Sequence, residues 1–139
     1  MPADYNDSSN RHWEDAEYLY ADNRLANADQ LFGLSAECAL KAVMKGLGMS
    51  LSPAGSPQKQ QHRVHINNLW DEFIAFVQSR NGAKYANIAA ANSNPFHDWD
   101  VAQRYYHRSD INQQNVDNHK QGALTARQVF QLAILDGVA

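Results

Sequence analysis

Gln30-Leu-Phe-Gly-Leu-Ser-Ala-Glu-Cys-Ala-Leu-Lys-Ala-Val-Met-Lys-Gly-Leu-Gly48 is the stretch that decides the fold. Across it and the residues just before it, Ala28, Leu31, Phe32, Ser35, Ala39, Ala42, Val43 and Gly46 fall three or four apart, so they line one face of an α-helix. Most of these side chains are small, which lets a neighbouring helix approach closely. The spacing therefore predicts a central helix from about Leu25 to Leu47 in a compact bundle. Gly46 and Gly48 supply its stop, because glycine reaches the left-handed conformation without strain. Glu37 and Lys41, four apart in the favourable order, read as an exposed pair contributing a few tenths of a kcal/mol.

Upstream, residues 1–8 read as a loose tail. Ser9 or Asn10 is suited to cap a helix from Arg11 to about Asn23, with Trp13, Ala16, Glu17 and Tyr20 at helical spacing. Downstream, residues 49–64 are rich in Pro, Ser and Gln, have little to bury, and read as a mobile loop. A third helix is predicted from Ile66 or Asn67, with Leu69, Trp70, Phe73, Ile74 and Val77 as its apolar face and Asn81-Gly82 as its end. Lys84 to Ala91 reads as a short helix, and Pro95 pushes Asn94 out of the helical region. Asp110 with Gln113 fits a capping box for a last helix from about Asn112 to Leu135. Its stripe is Val116, Ala123, Ala126, Val129, Phe130, Ala133 and Ile134. No period-two pattern and no repeat occurs. The expected fold class is all-α, an up-and-down bundle of four to five helices forming a single domain over residues 1–139.

With 44% hydrophobic and 19% charged residues, the chain can build a real core and is not disordered by composition. A net charge of −3 argues against broad, charge-driven nucleic-acid binding but leaves room for a local basic patch. The single cysteine, Cys38, cannot form an internal disulfide and fits a buried small hydrophobe in a reducing compartment. The polar, acidic start does not read as a signal peptide, and no apolar run is long enough to cross a bilayer. These features point to a cytoplasmic protein with no membrane partner.

Among chemistry-bearing residues, Arg104-Tyr-Tyr-His-Arg-Ser-Asp110 is the leading candidate site. Two guanidiniums, two phenols and an imidazole in seven residues can hold a phosphate and stack on a base. The plainer alternative has Tyr105 or Tyr106 in the core, Arg104 paired with Asp98, Asp100 or a helix end, and His107 solvated. His62 and His65 lie three apart, but no Cys or acidic spacing around them matches a zinc arrangement, so no metal is expected. Ser35 and Cys38 lack the surroundings of a nucleophile, and no phosphate-cradling glycine loop is present, so no cofactor is expected. A single-stranded nucleic-acid groove would require Arg63, Lys84, Arg104, Arg108 and Lys120 to converge.

Three of these stretches together resemble HEPN domains, small helical proteins named for their occurrence in higher eukaryotes and prokaryotes and for nucleotide binding. Ala36-Glu-Cys-Ala-Leu-Lys-Ala-Val-Met-Lys45 is similar to their second helix, His65-Ile-Asn-Asn-Leu69 with Trp70 to the opening of their third, and Arg104-Tyr105 to the Arg-Tyr pair before their last helix. The order and separations agree over about residues 10–135. The resemblance implies a bundle, often dimeric, that acts beside a nucleotidyltransferase, a toxin–antitoxin partner or another defence component. It also implies a metal-independent ribonuclease in which an Arg is followed after four to six residues by a His. This chain departs from that spacing, with two residues between Arg104 and His107 and ten between Arg108 and His119.

The expectation drawn from residues and resemblance is a HEPN-like binding module, catalytically degenerate. In it Arg104, Tyr105, His107, Arg108 and Asp110, with Lys41 and His65, hold a nucleotide, an RNA phosphate or a partner protein such as a nucleotidyltransferase. One alternative is a toxin-type endoribonuclease with His107 and Arg104 as its catalytic pair. Another is a structural subunit that forms a homodimer through surface aromatics.

Overall fold

The computed structural model describes residues 1–139 and contains five α-helices and no β-strand. They are α1 (Tyr5–Ala21), α2 (Leu25–Gly46), α3 (Ile66–Gln78), α4 (Ala83–Ala89) and α5 (Gln113–Leu135). Single turns of 3-10 helix lie at Gln60–His62 and Arg108–Asp110, and a longer one at Val101–Tyr105. No helix is long and apolar enough to cross a membrane.

The α2 helix is the axis, and its small-residue face is buried as the spacing predicts. Ala28, Phe32, Ser35, Ala39, Ala42 and Val43 are all buried, with Leu31 at the margin and Gly46 exposed. α1 lies antiparallel on α2: Trp13 and Tyr20 both meet the Phe32 ring, at 5.5 and 6.1 Å. Ser9 and Ser35 bind reciprocally, each Oγ donating to the other's carbonyl at 3.1 and 2.9 Å. Such a bond requires the two backbones to run close together. The chain turns between the helices at Asn23, whose φ of 58° is the left-handed conformation that Asn tolerates.

The up-and-down alternation holds for α1 and α2. Beyond them, Glu37 meets His65 while Leu47 meets Arg80, so α3 runs in the same sense as α2. Likewise Asp29 meets His119 while Gly46 abuts Val138, so α5 does as well. Residues 47–65 and 90–112 therefore carry the chain back to the end where these helices start. One apolar cluster of 29 buried residues draws on all five helices.

Several boundaries differ from expectation. The tail expected over residues 1–8 is helical from Tyr5, because Asp4 caps α1 by accepting from the Asp7 amide and Tyr5 is itself buried. The 49–64 stretch buries more than its composition suggests: Met49, Gly55, Pro57 and His62 are buried. Leu51 bridges Pro57, and the turn is tied to the chain's start by Ala3 N–H to Ala54 O and Tyr5 Oη–H to Gly55 O. Asp110 does not cap α5; Asn112 does, accepting from the Asn115 amide. In the α5 stripe Ile134 is the exception, at 45% exposed. Cys38 is half-buried, and burial followed by the nearby Glu37 charge pushes its thiol up to about 12.

Candidate functional site

The candidate site is carried by the 96–111 segment, which is laid across the first turns of α2 by a set of anchors. Trp99 is buried, and its Nε1–H donates to the Asp29 carbonyl at 3.0 Å. Gln30 Nε2 donates to the Asp100 carbonyl at 3.0 Å, and Gln103 Nε2 donates to Asp29 Oδ2 at 3.1 Å. A β-carbon on Gly33 would overlap the Trp99 indole, so the glycine is what lets that ring lie on the helix.

Beneath the anchors sits a fully buried imidazole. His119 Nδ1 lies 2.6 Å from Asp29 Oδ1, and its Nε2 lies 2.7 Å from Asp98 Oδ1. The Phe96 ring stacks on it at 5.5 Å. Burial alone pushes the His119 pKa down, but the hydrogen bonds and charges of Asp29 and Asp98 outweigh this and raise it above its ordinary value. With both nitrogens occupied, His119 has no free position for acid–base work. Its carboxylates flank opposite edges of the ring, and no group of three or more His, Cys, Asp or Glu side chains is arranged to hold a metal. Its effect is to clip the 96–105 segment to α2 and α5.

The 101–105 turn begins with a capping box: Ala102 N–H donates to Asp100 Oδ1 and Asp100 N–H to Gln103 Oε1, both at 2.7 Å. This fixes the direction in which the next residues leave. Arg104, Tyr105, Tyr106, His107, Arg108 and Asp110 are all exposed, so neither tyrosine joins the core. Arg104, His107 and Arg108 line one groove of about 560 Å³ with Tyr106, Arg24 and Asn27. Neither Arg104 nor Arg108 has a carboxylate within ion-pair distance, whereas Arg24 is bound to Asp22 at 2.6 Å. The Arg104 guanidinium instead lies 4.9 Å from the Tyr105 ring. Tyr105 and Asp110 lie outside the groove lining.

Lys41 and His65, also expected at the site, meet on a third residue. Glu37 and Lys41 are not the surface pair that their spacing suggests: they are 8% and 7% exposed, with Lys41 Nζ 3.0 Å from Glu37 Oε2. The other carboxylate oxygen lies 3.0 Å from His65 Nδ1. Burial pushes the Glu37 carboxyl up, but the bonds and charges of His65 and Lys41 outweigh it and leave it below its ordinary value. In return, the Glu37 hydrogen bond raises the His65 pKa. Lys41 is therefore spent on Glu37 inside the protein. His65, its side chain 49% exposed, lines a second hollow of about 310 Å³ with Asn67, Asn68, Arg63 and Asp100.

The wider basic set does not converge. Lys84 pairs with Asp136 beside α4 and the end of α5, Lys120 lies over Tyr20, and the Arg63 guanidinium is held by the Pro57 and Gln58 carbonyls. His62 does not join His65; it is buried edge-on to Phe76 with Nδ1 unpartnered, and burial lowers its pKa.

Asp29, Gln30, Trp99, Gln103 and His119 also build the site, although no motif spacing marks them in the sequence. The available signal was local: Asp29 and Gln30 are polar residues in an otherwise apolar helix, and Gly33 is a helix-interior glycine, which marks a close approach. Comparison of the chain with protein-family models, with curated proteins and with solved structures gives no match.

Proposed function

We propose that the chain is a HEPN-like helical module that binds a phosphate-bearing ligand, a nucleotide or RNA strand, in the groove beside the 101–105 turn. The observation that carries this reading is the pair of exposed guanidiniums, Arg104 and Arg108, on one groove without carboxylate partners in a chain of net charge −3. An unpaired guanidinium fork is suited to the two oxygens of a phosphate. Tyr106 adds an exposed ring, 54% accessible, on which a base can stack. The likeness to HEPN domains supports the reading through Glu37, Lys41 and His65, which meet where α2 faces the start of α3, and through Arg104 on the 101–105 turn.

The test is a melting curve with and without a nucleoside triphosphate or a short oligoribonucleotide. Binding raises Tm by mass action, and Arg104→Ala and Arg108→Ala abolish the rise. For a single-stranded ligand, log K falls with log salt by about 0.7 per phosphate neutralised, so each substitution removes about that much slope. A ligand-independent Tm, or a rise untouched in Arg104→Ala, refutes the reading.

A second reading, metal-independent cleavage of RNA, is favoured by one observation: the half-exposed His65 imidazole is braced by a buried carboxylate. That arrangement orients and tunes an acid–base histidine.

A further inference from the structure

His62 stands apart from every other buried polar side chain. It is 4% exposed, and its Nδ1 is the one buried side-chain nitrogen or oxygen without a hydrogen-bond partner. The neutral ring tolerates this, because Nδ1 can hold a bare lone pair while the proton sits on Nε2. The imidazolium does not: its second N–H points into the interior with no acceptor, and a buried donor left unmade is costly. Phe76 offers no relief. Its ring meets His62 edge-on at 5.3 Å and already carries the Arg80 guanidinium at 4.9 Å. Of the charged groups around the imidazole, Glu72 on α3 attracts a positive charge, while Lys59 on the same segment and Arg80 just past α3 repel it. Burial, helped by the two cations, outweighs the carboxylate and takes the His62 pKa below its ordinary value.

The same ring fastens residues 49–64. The Gln60–His62 turn rests on α3 through it. The other ties of this segment to the bundle, Ala3 N–H to Ala54 O and Tyr5 Oη–H to Gly55 O, do not titrate near neutral pH. The segment holds no carboxylate, and a charged His62 joins Lys59 and Arg63 as a third cation within five residues.

We propose that residues 49–64 form an acid-released strap: protonation of His62 expels its ring from beside Phe76 and detaches the segment, while the five helices stay packed. Release takes with it Arg63 and Val64, part of the lining of the hollow that holds His65, and uncovers Phe76. The bundle itself is not weakened over the same range. His65 and His119 are bonded to carboxylates that raise their pKa, so their stabilisation is fully present below the unfolded value, and Glu37, held below its ordinary value, stays ionised. For His62 the sign is opposite. The closed strap is at full strength above about 6.5 and weakens as pH falls toward the folded value. His12 on α1 also has a lowered pKa, from burial first and then Arg11, so the two rings are separated by substitution.

The test is hydrogen exchange of the full chain, read by mass spectrometry at pH 7.5 and 5.5 and expressed as protection factors, which removes the pH dependence of exchange itself. A ring that titrates at about 6.5 when released and stays neutral when packed multiplies the opening constant by about 1.1 at the higher pH and about 11 at the lower. Peptides covering residues 50–64 are therefore expected to lose about tenfold in protection, while those of α2 and α5 hold theirs. His62→Phe keeps a ring against Phe76 that cannot charge, and its segment is expected to be equally protected at both pH values. Should that variant not fold, the native His62 ring is titrated by NMR; it is expected to charge at lower pH than the same residue in urea, and the reverse order overturns the proposal. Unchanged protection of residues 50–64 at pH 5.5 overturns it. So does a loss that persists in His62→Phe, which assigns the effect to another group, and so does a loss shared by all five helices, which is global unfolding.

Discussion

Replacing His119 with Leu tests the buried clip most directly. The ring is fully buried between Asp29, 1% exposed, and Asp98, and both of its nitrogens are bonded. Leucine fills much of the space but leaves the Asp29 carboxylate buried, with Gln103 and no cation beside it. Stranding one member of a buried ion pair costs about 3–5 kcal/mol. With an unfolding entropy of about 2.1 cal/mol/K per residue, a chain of 139 residues changes by roughly 0.3 kcal/mol per degree. The expected drop in Tm is therefore about 10–17 °C, read by circular dichroism at pH 6. The pH dependence separates charge from packing. Because the folded pKa of His119 is raised, its stabilisation is complete below the unfolded value of about 6.5 and is lost as pH rises through the folded value. The gap in Tm between native chain and His119→Leu should thus be widest at pH 6 and shrink toward pH 9. Taking the difference removes the contributions of His65, His62 and His12, which both proteins share. A loss under about 1 kcal/mol, or a gap that does not change with pH, refutes the account of His119 as a charged staple.

Other expected outcomes bear on packing and on the site. Gly33→Ala forces the Trp99 indole off α2, lowering stability by about 1–3 kcal/mol in urea unfolding and weakening ligand binding at Arg104. Lys41→Met leaves the buried Glu37 with His65 as its one remaining partner and costs up to about 3 kcal/mol, whereas the double variant Glu37→Leu, Lys41→Met regains most of that stability in the same assay. Ser9→Ala and Ser35→Ala each cost about 1 kcal/mol. Measured by the same unfolding, the double change costs less than the sum, since each single change already loosens the shared contact.

What was legible in the sequence follows the range of the forces involved. The α2 and α5 stripes could be read because burial on a helix imposes a spacing of 3.6 residues on one short window. The start of α1 lies earlier than the sequence indicates because Tyr5 becomes a core residue only when the 49–57 turn folds back over it, which is what makes Asp4 the cap. In the site, Arg104, His107 and Arg108 share a groove that could be anticipated because they lie within five residues of one another. Glu37 could not be recognised as a hub, since one of its partners, His65, lies 28 residues away, and the same spacing fits a solvated pair equally well. The contact of Asp29 with His119 spans 90 residues and exists only once α5 lies alongside α2.

The thiol of Cys38 gives the molecule a built-in clock. At pH 8 a group with a pKa of about 12 is ionised in roughly one molecule in ten thousand, against about a quarter for an unfolded cysteine. Alkylating reagents therefore meet little thiolate while the middle of α2 stays packed, and more of it in molecules where that packing is lost. The labelling half-time then lengthens as the helix that carries Glu37 is held more firmly, with no probe added to the chain.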